Sequence, residues 1–310
     1  MWKFVIRRII ALIPVLLGVI LLVYLILSAA PGDPARTILG LEASEESVEA
    51  LRESMGLNKP VIVQYFDYLR KIIQGDFGTS WVSRHPVKEE LAACIPFTFV
   101  LAGVGLLLTI LFALPLGILA GTKQNSIFDN ISMALASLGL SLPTFWLGLL
   151  LILLLSVKLG WLPSSGTKEG ILNLIMPASA LTIQGLAGVA RTSRSSMLEV
   201  IRSDFIRTAK SKGISKTKVI LRHALRNAMI PTLTVMGLQL CNMISGAVLV
   251  ENIFAWPGIG RLLVQSIQAR DIPMVLGCIV VFTLSFSIIN LVVDLLYAVF
   301  DPRIKAQYKA

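Results

Sequence analysis

The chain has 310 residues, of which 55% are hydrophobic and only 15% charged, whereas soluble domains carry about 25% charged residues. This excludes a soluble globular protein and points to an all-α integral membrane protein. The formal net charge is +10, but a net +8 falls in residues 191–227, so the excess is that of one cytoplasmic loop and does not signal nucleic-acid binding.

Six apolar runs are long enough to cross about 30 Å of hydrocarbon, which takes about 20 residues. They lie near residues 9–29, 97–121, 131–158, 171–190, 229–250 and 274–298. The first follows Lys3, Arg7 and Arg8 and lacks a small-residue cleavage site, so it reads as a retained signal anchor. Pro14, Pro115 and Pro143 predict kinks, which bundles tolerate because neighbouring helices satisfy the freed carbonyls. Glycines in the second, third and fourth spans (Gly103, Gly105, Gly117, Gly139, Gly148, Gly185, Gly188) predict close helix approach.

Residues 30–96 form the largest connection, with ten acidic and seven basic residues. The PGDP at 31–34 signals a turn. Residues 44–56 read as an amphipathic helix capped by Ser44, residues 61–74 as a second helix, and GDFGTSW at 75–81 as irregular. This connection is expected to fold as a small outer cap. A short connection follows at 160–170. A third, at 251–271, has a Trp-Pro-Gly turn, a short helix and Trp256 at an interfacial depth.

Orientation follows from the basic flanks. Arg7 and Arg8, Lys123, the 191–227 loop, and Arg303 with Lys305 all fall on one side only if both termini are cytoplasmic. The basic loop has internal order. Ser203 and Asp204 read as a helix N-cap and Gly213 as the glycine that ends that helix. Ser215 opens a second helical run carrying Val219, Ile220 and Leu225, which Pro231 is expected to close. Helix, glycine and helix make a handle for a soluble partner.

Enzyme signatures are missing: no HExxH, GxSxG, paired cysteines, GxGxxG after a strand, or P-loop. His85 and His223 are far apart with no second ligand near either, so no metal site is expected. Cys94, Cys241 and Cys278 are scattered, and two lie in apolar spans as small hydrophobes. Asp294 is the main ionisable residue within a span and sits near the inner end. Two kinds of function fit these features: the membrane subunit of a machine powered by a separate ATPase on the handle, or a channel or scaffold whose basic loop only sets topology.

Several stretches in order resemble one family: PGDPA after the first span, GDFGTSW with the following HPV, RTSRSSMLEV (191–200), DFIRTAKSKGISKTKVILRHALRNAMIP (204–231), FAWPGIGRLL (254–263) and NLVVDLLYAVFDPRI (290–304). They are similar to permease subunits of ABC importers, and more narrowly to the dipeptide/oligopeptide/nickel group. The family's loop motif is Glu-Ala-Ala, three residues, Gly, nine residues, Ile-x-Leu-Pro. Here Arg207, Thr208 and Ala209 take its first three positions, Gly213 and Leu225 match, and His223 and Arg226 replace Ile and Pro. These departures are ones the peptide/nickel group shows.

The resemblance implies one transmembrane domain over 1–310 that hydrolyses nothing itself. It implies a bacterial inner-membrane location among lipid, a second homologous permease, two P-loop ATPase subunits that hold ATP and Mg, and an extracytoplasmic solute-binding protein. It further implies a coupling role for Asp204, Phe205, Arg207, Thr208, Ala209, Lys210, Lys212 and Gly213, in the cytoplasmic coupling loop 191–228. Gln184, Asn242 and Ser245 are candidates for the translocation path. Trp256, Pro257, Gly258 and Gly260 are candidates for an outer gate or a binding-protein contact. The transported class is peptides, with glutathione or nickel as alternatives within the group.

Overall fold

A computed structural model describes residues 2–29, 31–40 and 42–300. The expected inner flank at Arg303 and Lys305, and the end of the 290–304 motif, lie outside the described residues. The helices are α1 (Trp2–Ala29), α2 (Pro34–Leu39), α3 (Glu45–Ser54), α4 (Val61–Ile73), α5 (Val87–Thr122), α6 (Ile127–Ser141), α7 (Thr144–Leu151), α8 (Ile171–Ile201), α9 (Asp204–Ser211), α10 (Lys216–Lys218), α11 (Leu225–Ile253), α12 (Ile259–Gln268) and α13 (Ile272–Phe300). Two π-helical turns, Ile152–Lys158 and Val219–Ala224, extend α7 and join α10 to α11.

Among the described residues five helices are long and apolar enough to cross a membrane, and a sixth crossing exists if α6 and the α7 region count as one. The span expected over 131–158 is broken where Pro143 predicts a kink: Ile127–Ser141 and Thr144–Lys158 meet at 100°. Pro143 is the cause. It carries no N–H, and it drives the preceding Leu142 to an extended ψ of 126°. Pro231 behaves oppositely. It lies inside α11, so the helix runs through it and does not close there.

The chain forms two compact units, 1–98 with 257–287 and 99–256 with 288–310. In the first, α4 packs its Tyr65 and Tyr68 face on Ile20 and Tyr24 of α1 and on Ile272, Leu276 and Val280 of α13. The Tyr65 hydroxyl donates to the Leu17 carbonyl over 3.1 Å. The expected cap helices appear as α3 and α4, with Ser44 accepting the Ser47 N–H at 3.3 Å. Asp33 caps α2 through the Ala35 N–H and ties it to α3 through Arg52 at 2.7 Å.

The irregular GDFGTSW stretch is fixed by a distant carboxylate. Asp271, buried at the start of α13, accepts from the Ser80 hydroxyl and from the Trp81 N–H at 3.1 Å. Thr79 and Pro86 form an isolated antiparallel bridge that closes the loop.

In the second unit α8 is the central helix, pairing most extensively with α11 and α6. Small residues permit this. A Cβ on Gly117 of α5 would stand 2.6 Å from the Ala190 carbonyl oxygen of α8, closer than any real contact. Thr182 of α8 donates to the Gly105 carbonyl at 3.2 Å and the Ala178 carbonyl at 2.7 Å, so its hydroxyl is satisfied inside the bundle.

Candidate functional site

The basic handle is a docked helix with one face buried. In α9, Ile206 and Ala209 point inward and are buried with Met197, Val219, Ala224 and Ala228. Ile118, Val200, Ile201, Ile214, Ile220 and Leu225 close over them. The ends of three long helices thus hold α9 from one side. Asp204, Phe205, Arg207, Thr208, Lys210, Lys212 and Gly213 are exposed on the other. Of the residues expected to contact a partner, Ala209 alone faces the core.

Gly213 ends α9 by two characteristic bonds. The Gly213 N–H donates to the Lys210 carbonyl at 3.0 Å, and the Ile214 N–H to the Ala209 carbonyl at 3.4 Å. This is the Schellman pattern, with Gly213 at φ +76° and Ile214 returning into the apolar cluster. At the other end Ser203 sits at the N-cap position, but its hydroxyl donates back to the Val200 carbonyl at 2.6 Å and makes no cap bond. Val219 N–H to Ser215 carbonyl, 2.9 Å, opens the second helical run.

Three of the basic residues before the handle serve the bundle. Arg194 of α8 grips Asp129 of α6 with two bonds, Nε to Oδ1 at 2.5 Å and Nη2 to Oδ2 at 2.7 Å. Asp129 is 1% exposed and also accepts the Asn125 N–H at 2.9 Å. Arg202 reaches Gln124 at 2.9 Å and Arg191 reaches Ser137 at 3.3 Å. Together they fasten the 123–126 turn and α6 to α8. Planar two-point pairing of this kind fixes orientation as well as distance. Asp129 was legible in the sequence only as an acid close to a helix end and facing a basic loop.

The candidate path residues lie on the paired helices α8 and α11. Gln184 of α8 and Asn242 and Ser245 of α11 are all exposed in the single chain. Gly246 lies beside Gln184, where an added Cβ would sit 3.7 Å from its Oε1. Leu238, Asn242, Ser245 and Leu249 follow one another at helical spacing along a single exposed face. Ser245 donates to the Cys241 carbonyl at 3.4 Å, and the Asn242 amide makes no hydrogen bond among the described residues. An unpaired amide in hydrocarbon costs roughly 4–8 kcal/mol on a cyclohexane scale. This face therefore suits water or another protein better than lipid tails.

The Trp256 turn is packed into the protein. Trp256 is 5% exposed, Gly258 and Gly260 are also buried, and Pro257 is half-buried. The Trp256 N–H donates to the Glu251 carbonyl at 2.9 Å. Ile259 donates its N–H to Thr98 at 2.8 Å, which fastens the start of α12 to α5. These residues brace the two ends of the turn and expose little side-chain surface.

Comparison with known proteins extends these observations. Residues 113–306 match the family described as binding-protein-dependent transport system inner membrane component, and residues 1–102 match its N-terminal membrane component. The glutathione transport system permease GsiC of Salmonella choleraesuis is 44% identical over 305 residues, covering 98% of this chain and 99% of that protein. GsiC of Escherichia coli K12 is equally similar over the same shares. Among solved structures, an inward-facing form of the MetNI methionine ABC transporter superposes with a TM-score of 0.58 at 18% identity, over 68% of this chain and 96% of its own. An amino acid ABC transporter crystallised with histidines gives 0.55 at 15%, over 68% and 94%.

Proposed function

The chain belongs to the inner-membrane components of binding-protein-dependent transport systems, and from that premise we propose that it forms half of a path for short peptides, glutathione among them. It is a multi-pass permease subunit of a bacterial ABC importer, a family whose members work with a second permease, ATPases and a solute-binding protein. Both termini lie in the cytoplasm on this reading, with residues 191–228 on the same side.

The reading assigns α9 to the groove of an ATPase subunit. ATP and Mg are held by those subunits and not by this chain. Closure of the ATPase pair moves α9, and the packed cluster beneath it carries the motion to α8 and α11 as a rigid body. Asp204, Phe205, Arg207, Thr208, Lys210 and Lys212 supply the contacts, and Gly213 supplies the turn that holds the helix in place.

The observation that carries the path assignment is the exposed polar face of Gln184, Asn242 and Ser245 on membrane-spanning helices. It supports a water-filled route completed by the second permease. The test uses cysteine variants in the assembled transporter. Asn242→Cys is expected to react with a hydrophilic thiol reagent and to be shielded when substrate is transported. Leu107→Cys, on an exposed apolar face of α5 at 67%, is expected to stay unreactive. An unreactive Asn242→Cys whose transport is normal removes this face from the path. Gentle purification from native membranes tests the partners: a chain that comes away alone, without a second permease or ATPases, overturns the coupling assignment.

A further inference from the structure

Gln239 of α11 lies across Gly185 of α8. A Cβ at Gly185 would stand 2.7 Å from the Gln239 Nε2, 3.0 Å from its Cδ and 3.1 Å from its Cγ. Glycine is a poor helix former, so this one serves by leaving room: it seats the carboxamide. Gln184, its neighbour in the chain, rests on α11 in the same manner, with Oε1 3.7 Å from where a Cβ on Gly246 would be. Each helix thus lays a glutamine over a glycine of the other. Gln239 and Gly185 both fall about halfway along helices long enough to span the membrane, α11 over Leu225–Ile253 and α8 over Ile171–Ile201.

A polar side chain inside a membrane bundle ordinarily hydrogen-bonds to a neighbouring helix. Gln239 does not. Its half-buried carboxamide, like those of Gln184 and Asn242, makes no hydrogen bond among the described residues. Gln239, Asn242 and Gly246 recur at i, i+3 and i+7 and so share one face of α11. Three unbonded carboxamides on two paired spanning helices require water or a polar ligand beside them. The same stretches are uncharged: residues 171–190 and 227–250 contain no Asp, Glu, Lys, Arg or His. A carboxamide both donates and accepts. It therefore matches the N–H and C=O groups of a peptide backbone and does not select among side-chain charges.

We infer that Gln239 is a specificity-determining residue of the path, contacting the backbone of the passing peptide, and that Gly185 is the positioning residue that aims its carboxamide. The inference rests on the peptide-importer reading for its substrate. A carboxylate or an ammonium in place of this amide turns an indifferent contact into one that sorts peptides by charge.

The test uses the complete importer in proteoliposomes, with its solute-binding protein and ATP, and measures uptake of Ala-Lys-Ala and Ala-Glu-Ala. The binding protein is the same throughout, so its own preference cancels when variants are compared. Gln239→Glu is expected to raise the ratio of Ala-Lys-Ala to Ala-Glu-Ala uptake above native and Gln239→Lys to lower it, leaving the two variants about tenfold apart. A residue that only packs would move both uptakes together and leave the ratio alone. Gly185→Ala is expected to cut uptake as Gln239→Ala does. The importer still assembles, because the atoms its methyl meets are the end of a flexible side chain. The double variant is expected to lose no more than Gln239→Ala. Ratios that stay native in both charged variants, or losses that multiply in the double variant, overturn the inference. If the charged variants fail to assemble, Gln239→Cys in a Cys94→Ala background decides. It is expected to react with a hydrophilic thiol reagent and to be shielded during peptide transport, and an active importer that leaves it unreactive overturns the assignment. A native importer that takes up neither peptide sinks the peptide-importer reading, whereas native uptake with unmoved ratios sinks Gln239 alone.

Discussion

Gly213 is where the coupling assignment is most open to attack. Its φ of +76° is a conformation that costs an L-residue roughly 1–2 kcal/mol. A Cβ there would meet nothing within 4 Å in this chain, so substitution brings backbone strain without a clash. That strain lowers the population of the turn by roughly 5- to 30-fold. It leaves the cluster of Met197, Ile206 and Val219 intact, so the variants insert and fold. Asparagine tolerates left-handed backbone and a β-branched residue tolerates it worst. Uptake per ATP hydrolysed by the reconstituted transporter is therefore expected to fall in the order Gly, Asn, Ala, Val, with membrane levels unchanged. A Gly213→Val protein that couples as well as the native protein refutes the turn argument. An Asn variant as poor as Val shows instead that a partner surface excludes any side chain at this position.

Asp129→Asn removes the counter-charge of Arg194, and breaking a buried pair costs about 3–5 kcal/mol. The melting temperature of the purified subunit is expected to drop, with partial recovery in the swapped Asp129→Arg, Arg194→Asp protein; an unchanged midpoint in Asp129→Asn contradicts the brace. The small helices α2 to α4 have a predictable acid limit. The hydrogen bond from Lys59 holds the Asp67 carboxyl below its ordinary range. Burial raises that of Asp33, but bonds from Arg52 and the Ala35 N–H outweigh it and the net direction is again down. Groups lowered on folding stabilise fully above their unfolded value, about 3.9, and lose that contribution as pH falls through the folded one. Protection factors in α2 and α4, that is exchange corrected for its intrinsic pH dependence, are therefore expected to hold steady from pH 7 to about 4 and to fall below it; loosening already at pH 5 to 6 contradicts these two pairs. For topology, in a Cys94→Ala background, Ser47→Cys is expected to label with an impermeant reagent in spheroplasts and Lys212→Cys only after lysis. The reverse pattern inverts the orientation.

What could be read in the sequence was whatever depends on local composition or on short-range backbone chemistry. Apolar runs of about 20 residues match the thickness of a bilayer's hydrocarbon core, and five of the six expected spans are single helices. Ser44 and Gly213 announced helix ends because their residue types fit cap geometry without help from distant partners. The Pro143 break was signalled as a kink, but its 100° angle depends on what packs around it. Pro231 was misjudged because a proline ends a helix only where neighbours do not compensate for its lost bond.

Tertiary structure alone decided the pairings between residues far apart in the chain. Nothing near Ser80 in the sequence points to Asp271, nor does anything near Asp129 point to Arg194. It also decided which side of each helix is covered. Sequence placed Ala209 among the contact residues, and packing buries it. Periodicity fixes which residues share a face, but the choice of face belongs to the neighbours, and those are set by the fold as a whole.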